Sequence, residues 1–167
     1  MLLQYIKYSI LILVFNNALA GESYESRTLT TKIVCNATEV TVTTTCVSGD
    51  FGPFPSCQAQ DFVFSGKNGT FRIKGAGILS YHESEPPSLD YIATGWACAS
   101  GLSGKNYLVA SYYNGGNCCE CELYMIYDLN GKMLTKRTKG SELVVSKKLG
   151  LTVQGHMREI KIPFHNK

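Results

Sequence analysis

The stretch YLVASYYNGGNCCECELYMIYD, residues 107–128, decides the fold of this chain. Its outer segments, 107–113 and 122–128, are largely apolar on both faces, which is typical of central strands in a sheet. The residues between them include two glycines, two asparagines and three cysteines, a composition that indicates a loop. The stretch therefore predicts two antiparallel strands joined by a cysteine-rich loop.

Further strands are predicted on both sides of this pair. The segment 91–99 predicts a strand with an inward row of Ile92, Thr94, Trp96 and Cys98. An Asn-Gly turn at 68–69 predicts a hairpin between 61–64 and 70–74, with Phe62, Phe64, Phe71 and Ile73 pointing inward. Residues 39–47 alternate, so Val40, Val42, Thr44 and Cys46 share one face. Short strands are also predicted at 132–138, 143–146, 149–154 and 159–164.

The whole pattern predicts an all-β protein, because no window shows an apolar period of 3.6 residues for longer than two turns. We expect an antiparallel hairpin meander closed as a barrel, a sandwich or a small propeller-like array, stapled by disulfides. The segment 82–90 contains two adjacent prolines and is predicted to be a surface loop.

The N-terminus predicts export. Lys7 precedes the apolar run 10–15, and Ala18 and Ala20 form an Ala-x-Ala-like cleavage site. We predict a cleaved secretory signal peptide at 1–20 and a single all-β domain at 21–167. The apolar run is too short to cross a bilayer. We therefore expect a periplasmic or secreted protein that keeps no stable membrane anchor after cleavage.

The cysteines predict disulfides, because exported chains meet an oxidising compartment. The candidates are Cys35, Cys46, Cys57, Cys98, Cys118, Cys119 and Cys121. If 91–99, 107–113 and 122–128 are consecutive antiparallel strands, Cys98 lies about 23 Å from the cluster 118–121, beyond the reach of a disulfide. The cluster is then expected to pair with Cys35, Cys46 or Cys57. An odd number of cysteines leaves one unpaired.

The cysteine cluster permits two other interpretations. Cys118 and Cys121 form a Cys-x-x-Cys motif, but a redox motif needs its first cysteine at a helix N-terminus, and here a strand follows. The clustered thiolates, with Cys98 or a histidine, could instead bind zinc or copper(I). We predict no resident metal and no cofactor, and a metal-binding protein stays an alternative.

Charge and motifs argue against nucleic-acid binding and hydrolysis. Acids and bases are interspersed at a net charge of +3, which gives no basic stripe for nucleic acid. The cationic cluster around 132–148 could steer an acidic partner. The histidines match no hydrolase motif, so no catalytic residue is predicted. An envelope hydrolase that uses dispersed carboxylates, such as Asp61, Asp90 and Asp128, stays an alternative.

The segment 112–117 is the predicted partner-binding surface. It places two tyrosines beside a polar loop that a nearby cysteine cross-link would hold, and tyrosine is enriched at recognition surfaces. Neighbouring residues of a strand face opposite ways, so one tyrosine is expected to pack in the core. The predicted binding residues are Tyr112, Tyr113, Asn114 and Asn117.

Two short segments resemble a known family. Ser103-Gly104-Lys105-Asn106-Tyr107 and Thr138-Lys139-Gly140 resemble the Ser-Gly-x-x-Tyr and Lys-Gly loops of periplasmic inhibitors of C-type lysozymes. Those inhibitors are small disulfide-stapled β-barrels that plug an enzyme cleft. The resemblance covers fewer than ten residues, and the cysteine cluster has no place in that pattern, so no membership is assigned.

These observations together predict function by protein–protein binding. We expect an inhibitor or immunity protein that binds another secreted or envelope protein. Its target would be an enzyme or toxin, for example a cell-wall hydrolase such as lysozyme.

Overall fold

The structure is a computed structural model that describes residues 25–48, 56–74, 78–79, 89–118 and 121–164. These residues form antiparallel sheets and one short helix, so the prediction of a disulfide-stapled, mostly β protein is confirmed. The predicted signal peptide at 1–20, residues 82–88 of the predicted loop, and Cys119 lie outside the described residues. The division into 1–20 and 21–167 stays a prediction.

The first sheet contains four strands in sequence order: β1 (Ser26–Cys35), β2 (Thr38–Val47), β3 (Ser56–Gly66) and β4 (Gly69–Ile73). A two-residue turn joins β1 to β2, and Asn36 there adopts a φ of 56°, a left-handed conformation that asparagine tolerates. No strand is predicted from the sequence at β1, because its first five residues carry no apolar row, and the structure leaves them exposed. The predicted inward row of β2 is confirmed, since all four of its side chains are fully buried.

The second sheet is built around one long strand. Its members are β5 (Ile78–Leu79), β6 (Leu89–Ser100), β7 (Asn106–Tyr113), β8 (Glu122–Asp128), β9 (Thr152–Val153) and β10 (Arg158–Glu159). β6 pairs with β7 and β7 with β8, so the predicted antiparallel meander is confirmed. The other edge of β6 pairs with three short strands in turn: β5 at its start, β10 at Gly95 and β9 at its end.

The main core lies between the two sheets, which gives the molecule the layout of a sandwich. Phe62 and Phe64 of β3 pack there against Trp96 of β6 and Tyr127 of β8, and the rings of Phe62 and Trp96 stack at 6.2 Å. Within the described ranges, no strand pairing joins one sheet to the other. A closed barrel is therefore not formed by these strands.

A buried glutamine connects the sheets inside this core. Gln60 of β3 is fully buried, and its amide nitrogen donates to the Thr44 hydroxyl and to the Ala93 carbonyl, both at 3.0 Å. Its side-chain oxygen accepts a hydrogen bond from the Ala93 N–H at 2.7 Å. The glutamine side chain thus pairs with the backbone of β6 much as a strand would.

Two predicted inward positions differ in the structure. The pairing of β6 with β7 shifts register between Ala93 and Gly95, and this bulge reverses the facing of the residues before it. Ile92 therefore packs in a separate cluster from Trp96, and the predicted row is wrong at that position. Phe71 is 38% exposed because β4 is an edge strand with no neighbour on its other side in the described sheet.

Three disulfides bind the described cysteines in pairs. Cys35–Cys98 joins one strand from each sheet, Cys46–Cys57 joins β2 to β3, and Cys118–Cys121 closes the loop before β8. The prediction that Cys98 does not reach the cluster is confirmed. The expectation that the cluster pairs with Cys35, Cys46 or Cys57 is wrong, because a turn already brings the Cα atoms of Cys118 and Cys121 to 5.1 Å.

The helix α1 (Ser141–Leu149) replaces a predicted strand at 143–146. Two adjacent valines favour a strand locally, but Gly150 ends the helix with a φ of 57° and its N–H bonds back to the last turn. Glu142 in the first turn and two lysines in the last turn complement the helix dipole. No strand forms at 134–138 of the predicted strand 132–138. Of the predicted strand 149–154 only β9 forms, and of the predicted strand 159–164 only Glu159, the last residue of β10, lies in a strand.

Candidate partner-binding surface

The described residues of the loop between β7 and β8 are linked by contacts among themselves. The Cys118–Cys121 disulfide closes the loop. In addition, the Asn114 N–H donates to the Cys121 carbonyl (3.1 Å) and the Cys121 N–H donates to the Cys118 carbonyl (3.2 Å). The Asn114 side-chain oxygen accepts from the Gly116 N–H at 2.9 Å. A Cβ at Gly116 would lie 2.7 Å from the Cys121 sulfur, so only glycine fits this close approach.

The four predicted binding residues differ in exposure. Tyr112 is 1% exposed, and its hydroxyl bonds to the Tyr127 hydroxyl at 2.8 Å inside the core. Burial is the main cause that raises the pKa of both phenols above its ordinary value. Tyr112 is therefore the core member of the tyrosine pair and cannot contact a partner. Tyr113 and Asn114 are half-buried and Asn117 is exposed, so these three reach the surface at the loop.

A polar cleft of about 560 Å³ lies at the opposite end of the sheets from this loop. Its lining comes from the turns after β1, β3, β6 and β8, and includes Lys67, Asn68, Lys105 and Asn130. The Ser-Gly-x-x-Tyr segment contributes to this cleft, whereas Lys139 and Gly140 line a different groove beside α1. The two segments that resemble the lysozyme inhibitors thus do not line one site.

The alternatives of a metal site and a carboxylate site gain no support from the described residues. The six cysteines placed there are oxidised in pairs, and disulfide sulfurs are not thiolate ligands. Asp90 opens β6 and Asp128 lies level with its other end, about 30 Å away along the strand. Asp61 is bonded to Arg72 at 2.5 Å. These carboxylates do not form one group.

The second exposed feature is the outer face of α1. Val145 and Leu149 pack onto the sheet, whereas Leu143 and Val144 are 69% and 70% exposed. Lys147 and Lys148 follow one turn later on the same outer face. The sequence pattern predicts a strand here. The common surface of two apolar and two cationic side chains exists only because the segment is a helix, so it is not predicted.

The chain matches no model of a known protein family, no characterised protein and no solved structure. Its three disulfides are those of a protein from an oxidising environment. In the part of the chain that the structure describes, no helix has the length and apolar character needed to span a membrane. The fold and its cross-links define a disulfide-bonded antiparallel β protein.

Proposed function

We propose that this chain is an exported protein, periplasmic or secreted, that binds another secreted or envelope protein. Its action would be that of an inhibitor or immunity protein against an enzyme or toxin, with cell-wall hydrolases such as lysozyme as the first targets to test. The binding surface is the loop 113–118 between β7 and β8.

The observation that carries this proposal is the rigidity of that loop. A disulfide and four hydrogen bonds fix its backbone, so little conformational entropy is lost when a partner binds. The two strands that carry the loop are paired from Tyr107 with Asp128 to Tyr113 with Glu122, which fixes the position of Tyr113 at the base of the loop. A rigid aromatic beside polar groups is the composition of an effective contact surface.

The test is to identify a partner and then weaken the loop. Disulfide-bonded protein is immobilised, secreted and envelope extracts are passed over it, and each captured protein is purified for calorimetry. The same protein is added to cell-wall lysis assays with lysozyme. We expect Tyr113→Ala to weaken binding about thirtyfold, the loss of a side chain worth ~2 kcal/mol.

Asn117→Ala should weaken binding less, because its side chain is more exposed and lies at the rim of the surface. Asn114→Ala tests the rigidity itself, since it removes the acceptor for the Gly116 N–H without removing a large contact. Asn130→Ala at the opposite end is the matched control and should bind as the parent does.

Two results would contradict the proposal. If a purified partner binds all three loop variants as tightly as the parent, the surface is wrong. If the protein instead turns over a glycan or peptide with dependence on an Asp or Glu side chain, function by binding is wrong.

A further inference from the structure

The basic charge of this chain is concentrated in one segment. Residues 132–148 contain six of the sixteen lysines and arginines and one of the thirteen acids, which gives a net charge of +5. The whole chain has a net charge of +3, so the remainder carries −2. All six cationic side chains of this segment are exposed. The segment 132–148 is thus strongly basic compared with the rest of the sequence.

An apolar groove is lined by residues of this basic segment. It encloses about 480 Å³ between the segment 134–140 and the start of α1, and Leu134, Val144 and Val145 form its apolar lining. Lys136 and Lys139 line the same groove. We call these five residues, together with Leu143, Lys147 and Lys148 on the neighbouring helix face, the α1 groove surface.

We propose that the α1 groove surface docks an acidic segment of a partner protein, whose apolar side chain enters the groove while its carboxylates meet the lysines. This inference rests on the proposed function only in taking the partner to be a protein, and it uses a different surface from the loop. Complementary charge steers encounter, and burial of the exposed Val144 and Leu143 supplies apolar contact.

A protein segment fits this surface better than a lipid bilayer does. Helices that lie in a membrane interface separate a broad apolar face from a charged face. Here Lys147 and Lys148 lie on the same side of α1 as Leu143 and Val144, because residues four apart share a helix face. The inward side of α1, with Val145 and Leu149, is already packed on the sheet. The exposed apolar side chains of α1, Leu143 and Val144, therefore share their face of the helix with two lysines.

The test uses a fluorescein-labelled peptide of glutamate, leucine and serine, titrated with disulfide-bonded protein and followed by anisotropy. A matched peptide carries glutamine in place of glutamate. We expect the acidic peptide to bind at least about tenfold more tightly than the glutamine peptide at low salt. Added salt should weaken the binding of the acidic peptide, because the charges of the surface are exposed.

Variants then locate the binding. Lys136→Gln with Lys139→Gln, and separately Leu143→Ala with Val144→Ala, should each weaken binding of the acidic peptide about tenfold, or ~1.4 kcal/mol. Lys67→Gln with Lys105→Gln removes the same charge at the opposite cleft. Val34→Ala truncates a 62% exposed valine on the other sheet. Both controls, and the loop variant Tyr113→Ala, should bind the acidic peptide like the parent.

Three outcomes would overturn the inference. The first is that the glutamine peptide binds as well as the acidic one. The second is that both groove variants bind like the parent. The third is that phosphatidylglycerol vesicles co-sediment the protein, with loss of binding in the lysine variant, while the acidic peptide is not bound. The Tyr113→Ala variant tests the proposed function by its affinity for a captured partner, whereas the groove variants test this inference by their affinity for the acidic peptide. Failure of one can therefore be distinguished from failure of the other.

Discussion

Replacement of Gln60 by leucine should destabilise the protein strongly, although leucine is apolar and of similar size. The substitution removes three hydrogen bonds, two of them to the backbone of Ala93 in the opposite sheet. Each buried backbone group left without a partner costs about 1–3 kcal/mol, and the additional apolar contact of leucine offsets ~1–2 kcal/mol. We therefore expect Gln60→Leu to lower the free energy of unfolding by about 3 kcal/mol.

The assay is guanidinium denaturation of the disulfide-bonded protein, followed by the fluorescence of Trp96, the single tryptophan, which is 1% exposed. Gln58→Leu is the matched control, because Gln58 lies on the same strand and is exposed. It should change stability by less than ~0.5 kcal/mol. Thr44→Val removes only one of the three bonds and should cost about 1 kcal/mol, which keeps the test open if Gln60→Leu does not fold.

Gln60→Glu separates the donor from the acceptor role of the same side chain. The glutamate oxygen can still accept from the Ala93 N–H, but an ionised carboxylate has no hydrogen to give to the Ala93 carbonyl. Burial beside that carbonyl would raise the pKa of the new carboxyl in the folded state. The variant should thus be most stable below pH ~4.3, the pKa of an unfolded glutamate, and lose stability as pH rises.

A Gln60→Leu variant as stable as the parent would refute the reasoning that these hydrogen bonds stabilise the contact between the two sheets.

Two further predictions follow from the cross-links and the buried phenols. Replacing Cys35 and Cys98 together by serine should lower the free energy of unfolding by about 4 kcal/mol, because the disulfide joins residues 63 positions apart. Mass spectrometry of disulfide-linked peptides verifies the pairing, and denaturation measures the cost. Stability should fall as pH rises above ~10, because unfolded tyrosines ionise there while burial keeps Tyr112 and Tyr127 protonated in the fold. Denaturation at pH 8 to 11 should show a smaller decline when both are replaced by phenylalanine; an equal decline would contradict this.

The three long strands of the second sheet, β6, β7 and β8, could be predicted because their signal is local. Residues 107–113 and 122–128 are largely apolar on both faces, and the structure buries both faces of these strands. The row of β2 was likewise predictable from alternation alone. These elements need only the sequence within them to set their period and facing.

The other features of the fold depend on contacts with residues outside the element concerned. β1 has few apolar residues and is a strand because it pairs with β2 along ten residue pairs. The pairing of Cys35 with Cys98 required knowing that β1 faces β6. Gln60 follows the same alternation as Phe62 and Phe64, which places it inward, but its backbone partner lies 33 residues away. For α1, Gly140 and Gly150 are a usable signal for the two ends of a helix, but the two adjacent valines between them favour a strand.

The candidate site was predictable in part. The position of the loop followed from its composition, whereas the choice between Tyr112 and Tyr113 required the register of β7, which determines that Tyr112 faces the core. The basic groove could not be predicted, because its apolar lining depends on a helix that the sequence pattern represents as a strand.

The three short strands that pair with the outer edge of β6 protect that edge against aggregation. β9 and β10 come from residues 152–159, so the 95–100 part of this edge of β6 pairs only with residues that follow it by more than fifty positions. An unpaired strand edge is a template on which other chains can add. Residues 152–159 therefore cover part of the edge of β6, and their removal would leave that part open to β-pairing with another molecule.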